Sequence, residues 1–259
     1  MWLICLAMRV QRPLYLTLHR TVTLMPWFQF FNALLFWQAV WFLYFQANLS
    51  GAEAIILYSV YDISTTLLEV PSGYFSDRLG RRVTLALSTL CSLLGCLALA
   101  AGGSFAIFAL GQSLIGAGAA FKSGTDTSLL YEALEATGRA DEVEAQEVRA
   151  WRFSLAGFAL SALIGGALSF WSPVAPFYAT AIAFAVAAAL VAYMSEPPRS
   201  SDSTPDLGTQ ISQLKAAMLH PVLAWLFVLT VLMYGFSHLP FVFGQPFILT
   251  ALDEFDLAA

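Results

Sequence analysis

The sequence predicts an all-α polytopic membrane protein, and three observations carry that prediction. Of its 259 residues, 59% are hydrophobic and only 11% charged, where an ordinary soluble domain has roughly 45–50% and about 25%; mean hydropathy is +0.72. The apolar residues gather into continuous runs of about 20, the length a spanning helix needs, without the alternation of barrel strands. Eleven of the twelve Lys and Arg fall in connections on one side of those runs. One soluble core cannot hide so much apolar surface, which excludes a soluble enzyme, a nucleic-acid binder and a disordered chain. The net charge of −5 says less about partners than the placement of the charges.

Seven runs qualify as spans, at about 27–48, 53–75, 83–103, 105–134, 150–171, 174–194 and 221–243. Span one holds Asn32, Gln38 and Gln46 among Trp37, Trp41 and several Phe, and polar groups among aromatics suit a cavity wall. Asn48, Leu49 and Ser50 after it have the form of a glycosylation sequon. Span two carries Asp62 and Glu69, seven apart and so on one helix face, with Thr65 and Thr66 on that side. Span three holds Cys91 and Cys96 as small buried hydrophobes; with Cys5 they make neither a disulfide framework nor a zinc spacing. Span four, about 30 residues or roughly 45 Å, outruns the hydrocarbon core and projects into the cytoplasm. It carries Lys122 and Asp126, four apart and able to pair. In span five, Gly157, Ser161 and Gly165 form a small-residue stripe for helix packing. Span seven has His238 and Pro240 near its outer end. Trp27, Trp41, Trp171 and Trp225 fall near predicted span ends, as in an aromatic belt.

The cations orient the chain. Arg9, Arg12 and Arg20 precede span one, Arg78, Arg81 and Arg82 follow span two, Arg139, Arg149 and Arg152 follow span four, and Arg199 and Lys215 follow span six. The opposite turns carry none, so the cation-rich side is cytoplasmic and the N-terminus lies inside. Four regions follow: an N-terminal cytoplasmic extension over 1–25, a six-helix bundle over 26–194, a Pro- and Ser-rich cytoplasmic linker over 195–220, and a seventh helix with a tail over 221–259. Met25 and Pro26 directly precede span one and would suit a start, which leaves residues 1–24 as an extension without fold.

Residues 69–85 read EVPSGYFSDRLGRRVTL across the turn between spans two and three. Gly73 permits close helix contact, Gly80 a sharp turn, and Asp77 and Arg81 are placed to pair. Gly73, Asp77, Arg78, Gly80, Arg81, Arg82 and Leu85 together resemble the G-x-x-x-D-R-x-G-R-R-x-x-L loop of the major facilitator superfamily. Six spans, a linker and a further span are similar to that family's layout over about 26–250. The resemblance implies a major-facilitator-type N-terminal bundle of a secondary transporter, with solute bound at the midplane between two halves. It also implies a charge cluster of Asp77, Arg81 and Glu132 that latches one conformation; the alternative is a solvated acidic helix end, continued by Glu135, Asp141, Glu142, Glu144 and Glu147. Two departures weigh against drug/proton antiport. Gln112 stands where the fourth-span antiporter motif has Arg, and Gly157, Ser161, Ala162, Gly165 and Gly166 keep the fifth-span pattern without its proline. The stretch 121–134 is similar to a subgroup of bacterial members.

Ionisable residues inside a span are functional hypotheses by default. Glu69 lies roughly 24 Å and Lys122 roughly 26 Å from the outer face. Lys122 is therefore expected to pair with Glu69, Asp126 or both, either as a helix-fastening ion pair or as part of a site. Asp62, about 14 Å deep with no cation at its level, is the first candidate for a protonatable or solute-contacting group, or else a local partner of Thr65 and Thr66. Asn32, Gln38 and Gln112 complete the candidate solute or proton site. No phosphate loop, metal-ligand spacing or nucleophile with an adjacent base is present, so neither an enzyme nor a cofactor or metal is indicated.

The expected partners are the lipid bilayer, a small solute and protons. The second six-helix half is absent from the sequence, which reads as a truncated or fragmentary transporter needing a C-terminal half or a second copy. The remaining reading is a transport-inactive membrane protein that binds a ligand. Ten Arg against two Lys, with abundant Ala, point weakly to a bacterial source and so to the inner membrane.

Overall fold

A computed structural model describes residues 2–198 and 207–254. Among these residues ten α-helices run in order: α1 (Trp2–Asn32), α2 (Trp41–Asn48), α3 (Gly51–Leu79), α4 (Arg81–Ala101), α5 (Phe105–Lys122), α6 (Thr125–Ala136), α7 (Val143–Trp171), α8 (Ala175–Tyr193), α9 (Leu207–Met218) and α10 (Pro221–Glu254). Among the described residues there is no strand, and the chain forms an all-helical bundle. By length and composition four helical stretches can cross a membrane, 81–101, 105–136, 140–171 and 175–193, or five if α1 and α2 count as one bent span. The sequence predicts seven. The other two correspond to α3, whose 29 residues include Asp62 and Glu69, and to α10, whose stretch Pro221–Ser237 is apolar but shorter.

The first predicted span is broken. The helix axis bends by 47° between the stretch ending at Ala39 and α2, through a 3-10 turn at Phe36–Ala39. A broken helix frees backbone groups that lipid cannot satisfy. Here the Phe36 N–H donates to Thr180 Oγ1 of α8 at 3.0 Å. α7 lies directly against the break: Gly157, Ser161 and Gly165 are all buried, and a Cβ at Gly165 would collide with the Phe36 carbonyl. The small-residue stripe of span five thus lets α7 approach the backbone of α1.

Within the extension expected over 1–25, the stretch 18–25 packs into the bundle. Residues on both sides of Met25 belong to one continuous helix, and Leu18, Thr21, Val22 and Met25 are buried. Thr21 Oγ1 also donates to the Ser195 carbonyl at 2.8 Å. The bundle therefore reaches back at least to Leu18, and its far edge reaches Ser195. Within the expected linker, 199–206 lies outside the described residues, and 207–218 forms α9.

Two hydrophobic clusters fill opposite ends of the bundle. One is aromatic, built on Trp41, Phe45, Phe108, Phe177 and Phe184 with Leu57 and Leu99. The other is aliphatic, built on Leu18, Met25, Leu85, Leu130, Leu134 and Val191. Leu85 and Leu99 lie on the same helix, α4, about 21 Å apart at 1.5 Å per residue. Trp41 is 1% exposed and packs its ring 5.1 Å from Tyr58, so it belongs to the core and not to an aromatic belt. The bend at residue 40 turns it inward. Trp27, Trp171 and Trp225 are exposed. Ser50 caps α3: its hydroxyl accepts the Glu53 N–H, and the Glu53 carboxylate accepts the Ser50 N–H at 2.9 Å. A capping box is its role in this fold, where the sequence suggests a sequon.

Candidate functional site

Beside the aromatic cluster lies a cavity of about 360 Å³. Asn32 and Gln38 reach it from the broken first span, Ser88 and Ser92 from α4, and Gln112 and Lys122 from α5; Asp126 of α6 closes one end. Its apolar wall is Trp37, Trp41, Tyr58, Tyr61 and Ile115. Five of the seven residues proposed from sequence for a solute or proton site thus line one cavity: Asn32, Gln38, Gln112, Lys122 and Asp126. Gln112, which replaces the antiporter arginine, is 3% exposed. Close packing of α4 and α5 frames the wall, and Ser88 Oγ donates to the Gly118 carbonyl at 2.6 Å.

Lys122 and Asp126 flank a local break inside the fourth span, which still runs over 105–136 as one stretch. α5 ends at Lys122 and α6 starts at Thr125, with Gly124 in the left-handed region at φ 69°. A cation in the last turn of one helix and an anion in the first turn of the next each complement the local helix dipole. Lys122 Nζ stands 3.8 Å from Asp126 Oδ2. Asp126 is held further by Gln29 Nε2, which donates to Oδ2 at 2.6 Å, and by the Thr127 N–H, which donates to Oδ1 at 2.8 Å. Gln29 carries a faint signal in the sequence, a polar residue in an apolar helix.

Asp62 and Glu69 are not among the described residues that line the cavity. Glu69 is exposed, and its Oε1 accepts from Ser123 Oγ at 2.6 Å. Of the two partners expected for Lys122, the structure gives Asp126. Asp62 Oδ1 accepts from the Tyr234 hydroxyl of α10 at 3.1 Å, a contact between the bundle and the last helix that the sequence does not foretell.

The charged cluster lies at the aliphatic end. Arg81 Nη1 pairs with Asp77 Oδ1 at 2.7 Å and donates to Ser76 Oγ at 2.9 Å. Its Nε donates to Glu132 Oε1 at 3.1 Å. The side chains of Arg81 and Glu132 are 18% and 29% exposed, so Glu132 is not a freely solvated helix end. Arg78 stands apart, its Cζ 4.9 Å from the Tyr74 ring centre. Gly73 is exposed with nothing within 4 Å of a built Cβ, so it makes no close helix contact among the described residues.

Glu196, which no sequence motif marks, completes the cluster. Its carboxylate accepts the backbone N–H groups of Arg81 at 3.0 Å and Arg82 at 3.2 Å, at the start of α4. Those donors have no intrahelical partner. In return the Arg82 guanidinium donates to the Ala192 carbonyl at 2.6 Å and the Val191 carbonyl at 3.3 Å, at the end of α8. Gly80 makes the turn possible with φ 115°, and a Cβ there would stand 2.8 Å from Glu196 Oε2. The sequence signal is an acidic residue just past span six, before Pro197 and Pro198.

No curated protein matches the chain. The family model described as Major Facilitator Superfamily matches residues 22–257, which takes in the cavity, the Arg81 cluster and α10. With an all-helical bundle whose apolar helices suit a membrane, the chain is an integral membrane protein and belongs to the major facilitator superfamily of transporters.

Proposed function

We propose that the chain moves a small solute across the membrane by alternating access, with the cavity between α1, α4 and α5 as one half's share of the solute path. The observation that carries this reading is the convergence of Asn32, Gln38, Gln112, Lys122 and Asp126 on one cavity walled by aromatic rings. A few placed polar groups in an apolar concavity are what a solute site needs. The Arg81 cluster, with Asp77 and Glu132, acts as the latch: it ties α3, α4 and α6 together in one state and releases them in another. In this reading a second bundle, from a C-terminal half or a second copy, supplies the opposite wall, because alternating access rocks one bundle against another. The address is the bacterial inner membrane with the N-terminus inside, on the strength of the one-sided cations.

The test is solute counterflow in proteoliposomes holding the purified chain with whatever second half copurifies, across a panel of anionic, neutral and cationic solutes. The expected result is flux of at least one solute that falls by roughly tenfold in Gln112→Ala and Asn32→Ala, the size of one or two lost polar contacts. Asp62→Asn is expected to leave the affinity for solute unchanged, since Asp62 faces Tyr234. Flux indifferent to both cavity substitutions sinks the reading.

A further inference from the structure

We propose that the cavity takes an organic monoanion, a carboxylate on a small apolar or aromatic body, with Lys122 as its anchor. The inference rests on the solute-path reading above and names the chemical class of the solute.

The charges that face the cavity among the described residues are Lys122 and Asp126, and they are unequally engaged. Asp126 accepts from Gln29 at 2.6 Å and from the Thr127 N–H at 2.8 Å, and its side chain is 10% exposed. Lys122 is 28% exposed, and its Nζ lies 3.8 Å from Asp126 Oδ2, beyond hydrogen-bond range. An ammonium carries three donors and a carboxylate about four lone-pair sites; Lys122 has donors to offer, while two of the Asp126 sites are taken. The carboxylate is fixed by its neighbours, and the ammonium leans toward it without being consumed.

A cation would fare worse in the same place. The rings of Trp37, Trp41, Tyr58 and Tyr61 could face a positive group, but that group would stand close to the Lys122 ammonium in a low-dielectric site. It would also compete with Gln29 for Asp126. On the other side of the ion pair, a second cavity of about 310 Å³ shares Lys122 and Asp126 but adds Glu147, which makes it the more negative of the two. The anion therefore belongs with the aromatic wall. A volume of about 360 Å³ lies at the lower end of the usual range for ligand cavities, about 300–1,000 Å³, and suits one ring or a short chain. The amides of Gln38 and Gln112 then meet a second polar group on the solute.

The probes are three isosteres: benzoate, benzamide and benzylammonium. Each is titrated calorimetrically into the purified full chain in detergent micelles, at low ionic strength. Benzoate is expected to bind about tenfold or more tightly than either of the others, as a charge-assisted contact implies. Lys122→Gln is expected to erase that preference and Lys122→Arg to keep it. The wild-type ranking stands without any variant, so a misfolded Lys122→Gln leaves the proposal open to refutation. Benzylammonium or benzamide binding as tightly as benzoate, or no benzoate binding at millimolar concentration, overturns it. Benzoate-selective binding with no counterflow of any solute sinks the transport reading and leaves the anion site standing. Counterflow of neutral or cationic solutes that benzoate does not inhibit sinks the anion site and leaves transport standing.

Discussion

Arg81 ties three helices together with one side chain. One guanidinium joins Asp77, Glu132 and Ser76, and the backbone N–H of the same residue is held by Glu196. A lysine has no planar fork to meet two carboxylates and a hydroxyl at once. Arg81→Ala is expected to cost about 1–3 kcal/mol, read from thermal unfolding in detergent, and Arg81→Lys to recover less than half of that. Full recovery by lysine would mean that only charge matters there. In the connection ahead of the span predicted over 150–171, Arg139 donates twice to Glu142, at 2.7 and 2.6 Å, and these bonds hold the Glu142 carboxyl below its ordinary range. A carboxyl lowered on folding stabilises the fold above its ordinary value of about 4.3 and loses that contribution as pH falls through the lower folded value. The unfolding midpoint of Glu142→Gln is thus expected to lie below wild type near neutral pH and to converge on it in acid. A constant gap across that range contradicts the pairing.

Among elements, the two helix breaks decide what the site looks like. The first turns Trp41 into the core, and the second sets Lys122 and Asp126 on facing helix ends. Neither break contains proline, and the first contains no glycine, which is why hydropathy alone reads both spans as continuous. What the sequence did carry is the pairing of Asp77 with Arg81 at a spacing of four; the membership of Glu132 came from the family resemblance, and Asn32, Gln38 and Gln112 stood out as polar groups inside apolar spans. What it did not carry is contact across long separations, such as Glu196 with Arg81 or Tyr234 with Asp62. Those depend on how helices meet in three dimensions, and one sequence holds no periodicity that encodes it. Backbone contact at the first break makes a sharp prediction. Gly165 faces the Phe36 carbonyl, whereas its neighbour Gly166 has nothing within 4 Å of a built Cβ. Gly165→Ala is expected to destabilise by about 1–3 kcal/mol through overpacking, and Gly166→Ala to be neutral or slightly stabilising. Equal thermal shifts for the two would mean that α7 does not press on the break.

At the scale of the whole molecule, the contacts and the charges agree on which end is which. The connections at residues 79–82, 136–142 and 194–196 are drawn to one end by Arg81, Arg82 and Glu196, and that end carries the cations of the loops. The opposite end, with the turns at 49–50, 102–104 and 172–174, carries none and closes over the aromatic cluster. In the orientation proposed above from the one-sided cations, the Arg81 cluster faces the cell interior and the aromatic cluster faces out. Ala52, in the first turn of α3, and Ala140, in the loop before α7, are both exposed and lie at opposite ends. Each can be replaced by cysteine with little change in volume, with labelling of the unsubstituted chain as background. A membrane-impermeant maleimide is expected to label Ala52→Cys in intact spheroplasts and Ala140→Cys only after permeabilisation. The reverse pattern would put the Arg81 cluster outside and require the latch to close the outer face of the path. Equal labelling of both positions in intact cells would mean insertion in two orientations, and no single inward gate could then be assigned to Asp77, Arg81 and Glu132.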